Sequence, residues 1–268
     1  MLKDITLGQY FPGQSVIHRL DPRTKLTMLV VYIVALFLAE GWVSYGLVFA
    51  FLAIVIWLST IPLKSILRGM KPLVMILIFT GVLNLFFTQD GEVLFHFWVL
   101  TVTSGGLSRA LMMMARILML ISGTFLLTYT TSPIALTDGL EALMNPLKKV
   151  GVPVHELSMM MCIALRFIPT LIEETDKIMS AQKARGADFE SGSLTDRAKA
   201  LIPILVPLFI SAFRRADELA TAMECRCYQG GEGRTKMKQL HYHREDFLSY
   251  CSGLVLLAAI IVLKTFGI

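Results

Sequence analysis

Four stretches of this chain run for a helix length or more without one charged side chain. Gly41–Leu63 has 23 such residues, Pro72–Gln89 has 18, Ile117–Thr137 has 21 and Phe247–Leu263 has 17. Crossing the hydrocarbon core of a bilayer takes about 20 apolar residues, with latitude for tilt. A soluble domain of 268 residues has no place for so many, and a composition 55 % hydrophobic and only 17 % charged agrees. The predicted class is an all-α integral membrane protein. Leu26–Ala39, between Lys25 and Glu40, is shorter but extends into its flanks and makes a fifth span. Its length also suits a signal-peptide core, with Phe37-Leu38-Ala39 as a weak cleavage site. A leader of 25 residues holding Asp4 and Asp21, with a second span following at once, favours an uncleaved first span.

Charge placement gives the threading; the net charge of +5 matters less than where the charges sit. Lys3, Arg19, Arg23 and Lys25 put the N-terminal end in the cytoplasm by the positive-inside rule. Asp21-Pro22 reads as an N-cap followed by proline at the first helical position. Glu40-Gly41 turns outside, Lys64, Arg68 and Lys71 lie inside, and the third span ends outside near Asp90-Gly91-Glu92. Val93–Ser108 is apolar and aromatic but broken by His96, Ser104 and Gly105-Gly106. It is predicted as an outer-face loop or interfacial segment, with Trp98 at headgroup level. Span four, about Leu107–Tyr129, carries Arg109 near its outer end and Arg116 two turns in. A lone arginine in a span is costly, so it faces inward or snorkels.

From Ser132 to Arg244 charges recur every few positions while apolar stripes persist. Three amphipathic helices are predicted there, on the cytoplasmic side: about Ile134–Lys149, Val154–Arg185 and Thr195–Tyr228. Leu201–Phe213 is apolar enough to dip into the bilayer, bent by Pro203 and Pro207. Residues 1–131 thus form a membrane domain of four spans, 132–244 the cytoplasmic-side helices and 245–268 a last span.

The second and third of those helices end alike. Asp176-Lys-Ile178-Met-Ser-Ala181-Gln-Lys-Ala184-Arg185-Gly186 is followed 41 residues later by Asp217-Glu-Leu219-Ala-Thr-Ala222-Met-Glu-Cys225-Arg226-Cys227. Each apolar stripe runs out at an arginine in the last turn, which suits the helix dipole, and Gly186 is the usual stop for the first. The second lacks that glycine, and Gly230-Gly231 is expected to supply its stop. The same offset pairs Glu173 with Arg214 and Glu174 with Arg215, so the copies carry opposite charge at equivalent positions and are expected to meet there. Local pairing along each helix, Glu173 with Lys177 and Arg214 with Glu218, is the ordinary alternative.

At these paired arginines the chain resembles the transmembrane T component of energy-coupling factor transporters, the vitamin and metal-ion importers of prokaryotic cell membranes. Ala184-Arg185-Gly186 is similar to the family's first Ala-Arg-Gly signature, and Cys225-Arg226-Cys227 occupies the second. The opening Tyr10-Phe-Pro-Gly13-Gln-Ser15-Val-Ile-His18-Arg-Leu-Asp21-Pro-Arg-Thr-Lys25 resembles the family's first motif. The resemblance implies that the arginine tips dock into grooves on two cytoplasmic ATPases. It also implies that the helices carry motion to a substrate-binding S component. ATP would then be bound by the partners, and the chain needs no cofactor of its own. Met112, Met113, Met114, Met159, Met160 and Met161 are ordinary core or lipid contacts, or else a soft face for the S component.

Other readings are weaker. A secondary transporter is expected to repeat its spans, whereas here the repeat lies in the charged helices. An intramembrane metalloenzyme would draw on Cys225, Cys227, His241 and His243, but Cys-x-Cys is tighter than the usual zinc spacing. The four cysteines form no disulfide framework. No phosphate loop or hydrolase triad is present, His155-Glu156 lacks the second histidine of a zinc-protease motif, and nothing points to nucleic acid.

Overall fold

Tyr32 shows how the membrane helices come together. Its ring lies where a Cβ on Gly123 would stand, 2.7 Å from Tyr32 Cε1, so only glycine lets the two helices approach this closely. The buried phenol then donates to the carbonyl of Met119 at 3.0 Å. Around this contact Ala35, Leu36, Val48, Leu52, Leu256 and Ile260 close the main apolar core.

The computed structural model of the chain describes residues 10–87, 93–97, 100–187, 189, 193–231 and 239–266. In order these form α1 (Val16–Arg19), α2 (Pro22–Leu38), α3 (Trp42–Ser59), α4 (Leu63–Met70) and α5 (Val74–Phe87). A hairpin, β1 (Val93–Phe97) and β2 (Leu100–Thr103), leads into α6 (Ser104–Thr130), α7 (Pro133–Met144), α8 (Val154–Ala184), α9 (Leu194–Cys225) and α10 (Arg244–Thr265). The chain is a helical membrane protein. The segment read as an outer loop holds this short antiparallel hairpin, and Thr103 caps α6 by accepting from the Gly106 amide, so span four starts earlier than expected. Trp98 and Gly91 lie outside the described residues.

The described chain divides into two compact units, residues 8–143 with 239–268, and residues 144–238. Among the described residues five helical stretches are long and apolar enough to cross a membrane: Trp42–Ser59, Leu63–Phe87, Ser104–Thr130, Val154–Ala184 and Arg244–Thr265. This set differs from the sequence reading at two places. α2 has only 17 residues, yet it packs along α10, α6 and α3 in the membrane core. α8, expected on the cytoplasmic side, qualifies through its apolar first half, while Glu173, Glu174, Asp176 and Lys177 crowd its second.

In the first unit, α2 and α10 run side by side in the same direction. At their N-terminal ends the Asp21 amide donates to Asp246 Oδ1 at 2.9 Å, and the His243 amide donates to Asp246 Oδ2 at 2.7 Å. At their C-terminal ends Lys264 Nζ meets Glu40 Oε1 at 2.6 Å. Lys25, only 7 % exposed, donates to the carbonyls of His18 at 3.1 Å and Thr130 at 2.9 Å, tying the opening motif to the end of α6. Burial would push the Asp21 carboxyl up, but the hydrogen bonds and charge of Arg23 outweigh it and hold the pKa below the ordinary range. Arg116, the deeper of the two arginines in span four, faces inward. Its Nη2 donates to the Ala39 carbonyl at 3.0 Å, and the guanidinium lies 5.6 Å from the rings of both Phe37 and Tyr45. A cation thus caps the carbonyl end of α2 under aromatic cover.

Candidate functional site: two arginine-tipped helices

α8 and α9 pack antiparallel in the second unit. Leu171, Phe167 and Ile163 of α8 face Ala212, Ala216, Leu219 and Met223 of α9 across one small apolar cleft. Nearer the other end of α8, Gln182 Nε2 donates to the Pro203 carbonyl at 3.5 Å. Under the 41-residue offset Met223 is the counterpart of Gln182 and Pro203 that of Cys162, the neighbour of cleft-lining Ile163, so the two contacts lie at nearly equivalent positions with roles exchanged. Helices related by a local two-fold repeat their contacts in this way. Near its centre Arg215 Nη2 donates to Glu174 Oε2 at 2.9 Å, and the Ser211 hydroxyl donates to Glu174 Oε1. Glu173 and Arg214 form no ion pair with each other among the described residues.

Both helices stop by the same hydrogen-bonded turn. At the end of α8, the Gly186 amide donates to the Lys183 carbonyl at 3.0 Å and the Ala187 amide to that of Gln182 at 3.0 Å. At the end of α9, the Cys227 amide donates to the Glu224 carbonyl at 2.8 Å and the Tyr228 amide to that of Met223 at 3.1 Å. This is the Schellman pattern, which needs a left-handed residue just past the cap. Gly186 fills that place at φ 87° and Cys227 fills it at φ 55°. The expected stop at Gly230-Gly231 is therefore corrected. Cys227 adopts the glycine's conformation itself, and Gly231 instead passes close over the ring of His155 at the start of α8.

Arg185 and Arg226 are the caps at these two ends, and both are exposed, as are Ala184, Gly186, Cys225 and Cys227. Because the helices are antiparallel, the arginines lie at opposite ends of the pair. With a rise of 1.5 Å per residue, that is a separation of roughly 40 Å. One groove cannot hold both. Each tip offers a fixed cation that can form a fork of hydrogen bonds with carboxylates or carbonyls.

The methionines divide. Met112 packs against the membrane core, and the sulfur of Met114 lies over Gly81. Met113, Met160 and Met161 are exposed, while Met159 is half-buried. Among the described residues no three His, Cys, Asp or Glu side chains converge as a metal site would need. The partners of Lys25 and Arg116 were hidden from the sequence, because Thr130 and Ala39 contribute only backbone carbonyls, which no residue pattern marks.

Comparison with known proteins bears on this arrangement. Residues 13–237 match the family model described as CbiQ, cobalt transport protein. The chain is 55 % identical to the energy-coupling factor transporter transmembrane protein EcfT of Acidaminococcus fermentans, over 98 % of this chain and 97 % of that one. It is also 55 % identical to the protein of the same name from Thermosediminibacter oceani, over 97 % and 98 %. For the Bacillus subtilis protein of that name the figures are 49 %, 97 % and 98 %.

The chain belongs to the family of energy-coupling factor transporter transmembrane components. As a T component it is a multi-pass membrane protein of a transport system. Cys225 and Cys227, standing where the first tip has Ala184 and Gly186, change the chemistry beside the second arginine while leaving the turn that presents it in the same form.

Proposed function

We propose that this chain is the coupling subunit of an ATP-driven importer and performs no chemistry of its own. Arg185 and Arg226 dock into two cytoplasmic ATPases, which bind the nucleotide. α8 and α9 then carry the ATPases' closure to a substrate-binding S component in a prokaryotic cell membrane, for uptake of a vitamin or a metal ion. The observation that carries this reading is the matched pair of helix ends. Two unlike sequences, Ala184-Arg185-Gly186 and Cys225-Arg226-Cys227, close with the same hydrogen bonds and present an exposed arginine at opposite ends of one antiparallel pair. Such a pair acts as a lever because its centre is pinned. The bonds from Arg215 and Ser211 to Glu174 join the helices where the two-fold passes, so movement at one tip turns the other. Exposed Met113 on the first unit, and separately Met160 and Met161 on the second, are soft surfaces that suit a partner varying between S components.

Hydrogen bonds involving a charge are worth roughly 1.5–3 kcal/mol each, so losing one arginine weakens one dock without dissolving a large complex. Arg185→Ala or Arg226→Ala alone is expected to leave an assembly that co-purifies with its ATPases but transports poorly. The double variant is expected to release them or to hydrolyse ATP without import. If the double variant retains its ATPases and imports at the parental rate, the arginines are not the coupling tips.

A further inference from the structure

α4 and the start of α5 carry a surface that the transport reading leaves unused. Gly69 lets α4 lie flat on α6, since a Cβ there would stand 2.9 Å from Phe125 Cε2 and from the Tyr129 hydroxyl. Ile66 and Met70 bury themselves in the same contact, and the Tyr129 hydroxyl donates to the Ser65 carbonyl at 3.3 Å. Two faces are left outward. One is apolar, with Leu63 and Leu67 each nearly 60 % exposed, and it continues along α5 through Val74 and Ile78. The other is cationic, with Lys64, Arg68 and Lys71 at i, i+4 and i+7, all exposed. Among the described residues none of these three side chains has an ion-pair or hydrogen-bond partner. The sequence supplies no acidic residue anywhere from Gly41 through Gln89.

We infer that Lys64, Arg68 and Lys71 form a binding site for the headgroup of an anionic phospholipid, with Leu63 and Leu67 lying against its acyl chains. Three features select a lipid over an acidic protein surface. The stretch Leu63–Phe87 is one helical run of 25 residues whose charges fall within its first nine positions. At 1.5 Å per residue it is about 37 Å long, and the hydrocarbon core is about 30 Å thick, so its first turns stand in the headgroup layer. Next, exposed leucines alternate with the cations around a short helix, which is the pattern of a segment lying at a lipid boundary rather than in a protein groove. Last, Tyr129 and Thr130 place α4 at the same end of the first unit as Arg19, Arg23 and Lys25, the end that positive charge assigns to the cytoplasmic leaflet. A phosphodiester bearing net negative charge completes what the protein leaves unpaired.

The test is phosphatidylglycerol binding to the full chain in non-ionic detergent, read by native mass spectrometry, with phosphatidylcholine as the neutral comparison. Each cation near an anionic membrane surface raises affinity about fivefold, so three together give roughly a hundredfold preference. The parent is expected to retain phosphatidylglycerol and to release it as salt rises. The triple variant Lys64→Gln, Arg68→Gln, Lys71→Gln is expected to lose that preference. Lys148→Gln with Lys149→Gln is expected to leave it unchanged. Lys64→Arg with Lys71→Arg keeps the charge and is expected to keep the lipid, which separates loss of binding from loss of fold. The inference is overturned if the parent holds both lipids equally, if the triple variant binds as the parent does, or if the charge-preserving variant fails to bind. Displacement by millimolar inorganic phosphate would also overturn it, since it would mark a general anion site.

Discussion

Cys227 holds a backbone conformation that a side chain disfavours. At φ 55° its Cβ crowds the neighbouring carbonyl, a strain of about 1–2 kcal/mol relative to the right-handed region, and glycine avoids it. Glycine in turn loses more freedom on folding, so the net effect of Cys227→Gly is expected to be a stabilisation of roughly 0.5–1 kcal/mol. The gain is local. Slower exchange of the Tyr228 amide, whose bond to the Met223 carbonyl closes the turn, is the measurement that isolates it. Gly186→Ala should act in the opposite sense on the Ala187 amide, because Gly186 sits at φ 87°. Equal exchange in Cys227→Gly and parent would mean that the thiol residue is not strained. His18 supplies a second prediction at this scale. Its Nε2 lies 3.0 Å from the Phe11 carbonyl and its Nδ1 lies 2.6 Å from the Ser15 hydroxyl, which suits the neutral ring. Burial lowers its pKa below the ordinary 6.5, and the positive charge of Lys25 adds to this, against the opposing bond to Phe11. The unfolded chain therefore binds more protons between the folded pKa and 6.5, and stability contributed above 6.5 is lost as pH falls through that window. The Phe11 amide, bonded to the Tyr129 carbonyl at 3.0 Å, is expected to open more often on acidification, and His18→Gln should flatten that response.

At the level of elements, contacts that rest on a repeated frame or an uncharged run were legible, and those that rest on backbone carbonyls were not. The offset of 41 that relates Asp176 to Asp217 also relates Glu174 to Arg215, and the structure joins the latter pair at 2.9 Å. The antiparallel sense of α8 and α9 was not readable, because a repeat fixes equivalence but not direction. The hairpin before α6 was likewise hidden, since a short apolar and aromatic run with glycines after it suits a loop equally well. For the central ion pair, a double-mutant cycle on Glu174→Ala and Arg215→Ala is expected to show favourable coupling that weakens with salt, as both side chains keep contact with solvent. Additive single effects would mean that the pair does not pin the lever. For the membrane core, Gly123→Ala forces a methyl group onto Tyr32, and overpacking of that kind costs about 1–3 kcal/mol. A lowered melting temperature is expected there, while Gly46→Ala, which meets open space inside α3, should melt at or slightly above the parent.

At the scale of the whole molecule the open question is which helices cross. In the first unit, Asp246 meets the start of α2, Lys264 meets its end at Glu40, and Lys25 reaches the end of α6 at Thr130. The chain therefore leaves α6 and re-enters α10 at one and the same end, so residues 131–243 cross the bilayer an even number of times or not at all. α8 is long and apolar enough for a crossing, and α9 would then have to return. Charge disfavours this pair of spans. The second half of α8 holds Glu173, Glu174, Asp176, Lys177 and Lys183, and α9 adds Arg214, Arg215, Asp217 and Glu218. Each charge near the middle of a bilayer costs about 2.5–3.5 kcal/mol even on the most permissive scale. A cysteine placed at Ser191 of a cysteine-free variant is accordingly expected to react with a membrane-impermeant reagent only after permeabilisation. One placed at Gly91, three spans from the N-terminus, should react in intact cells. Labelling of Ser191 from outside would make α8 and α9 a pair of spans and leave the Arg185 tip on the wrong side for any cytoplasmic ATPase. If Ser191 labels from outside while Gly91 is protected, it is instead the threading of the first unit around Glu40 that is reversed.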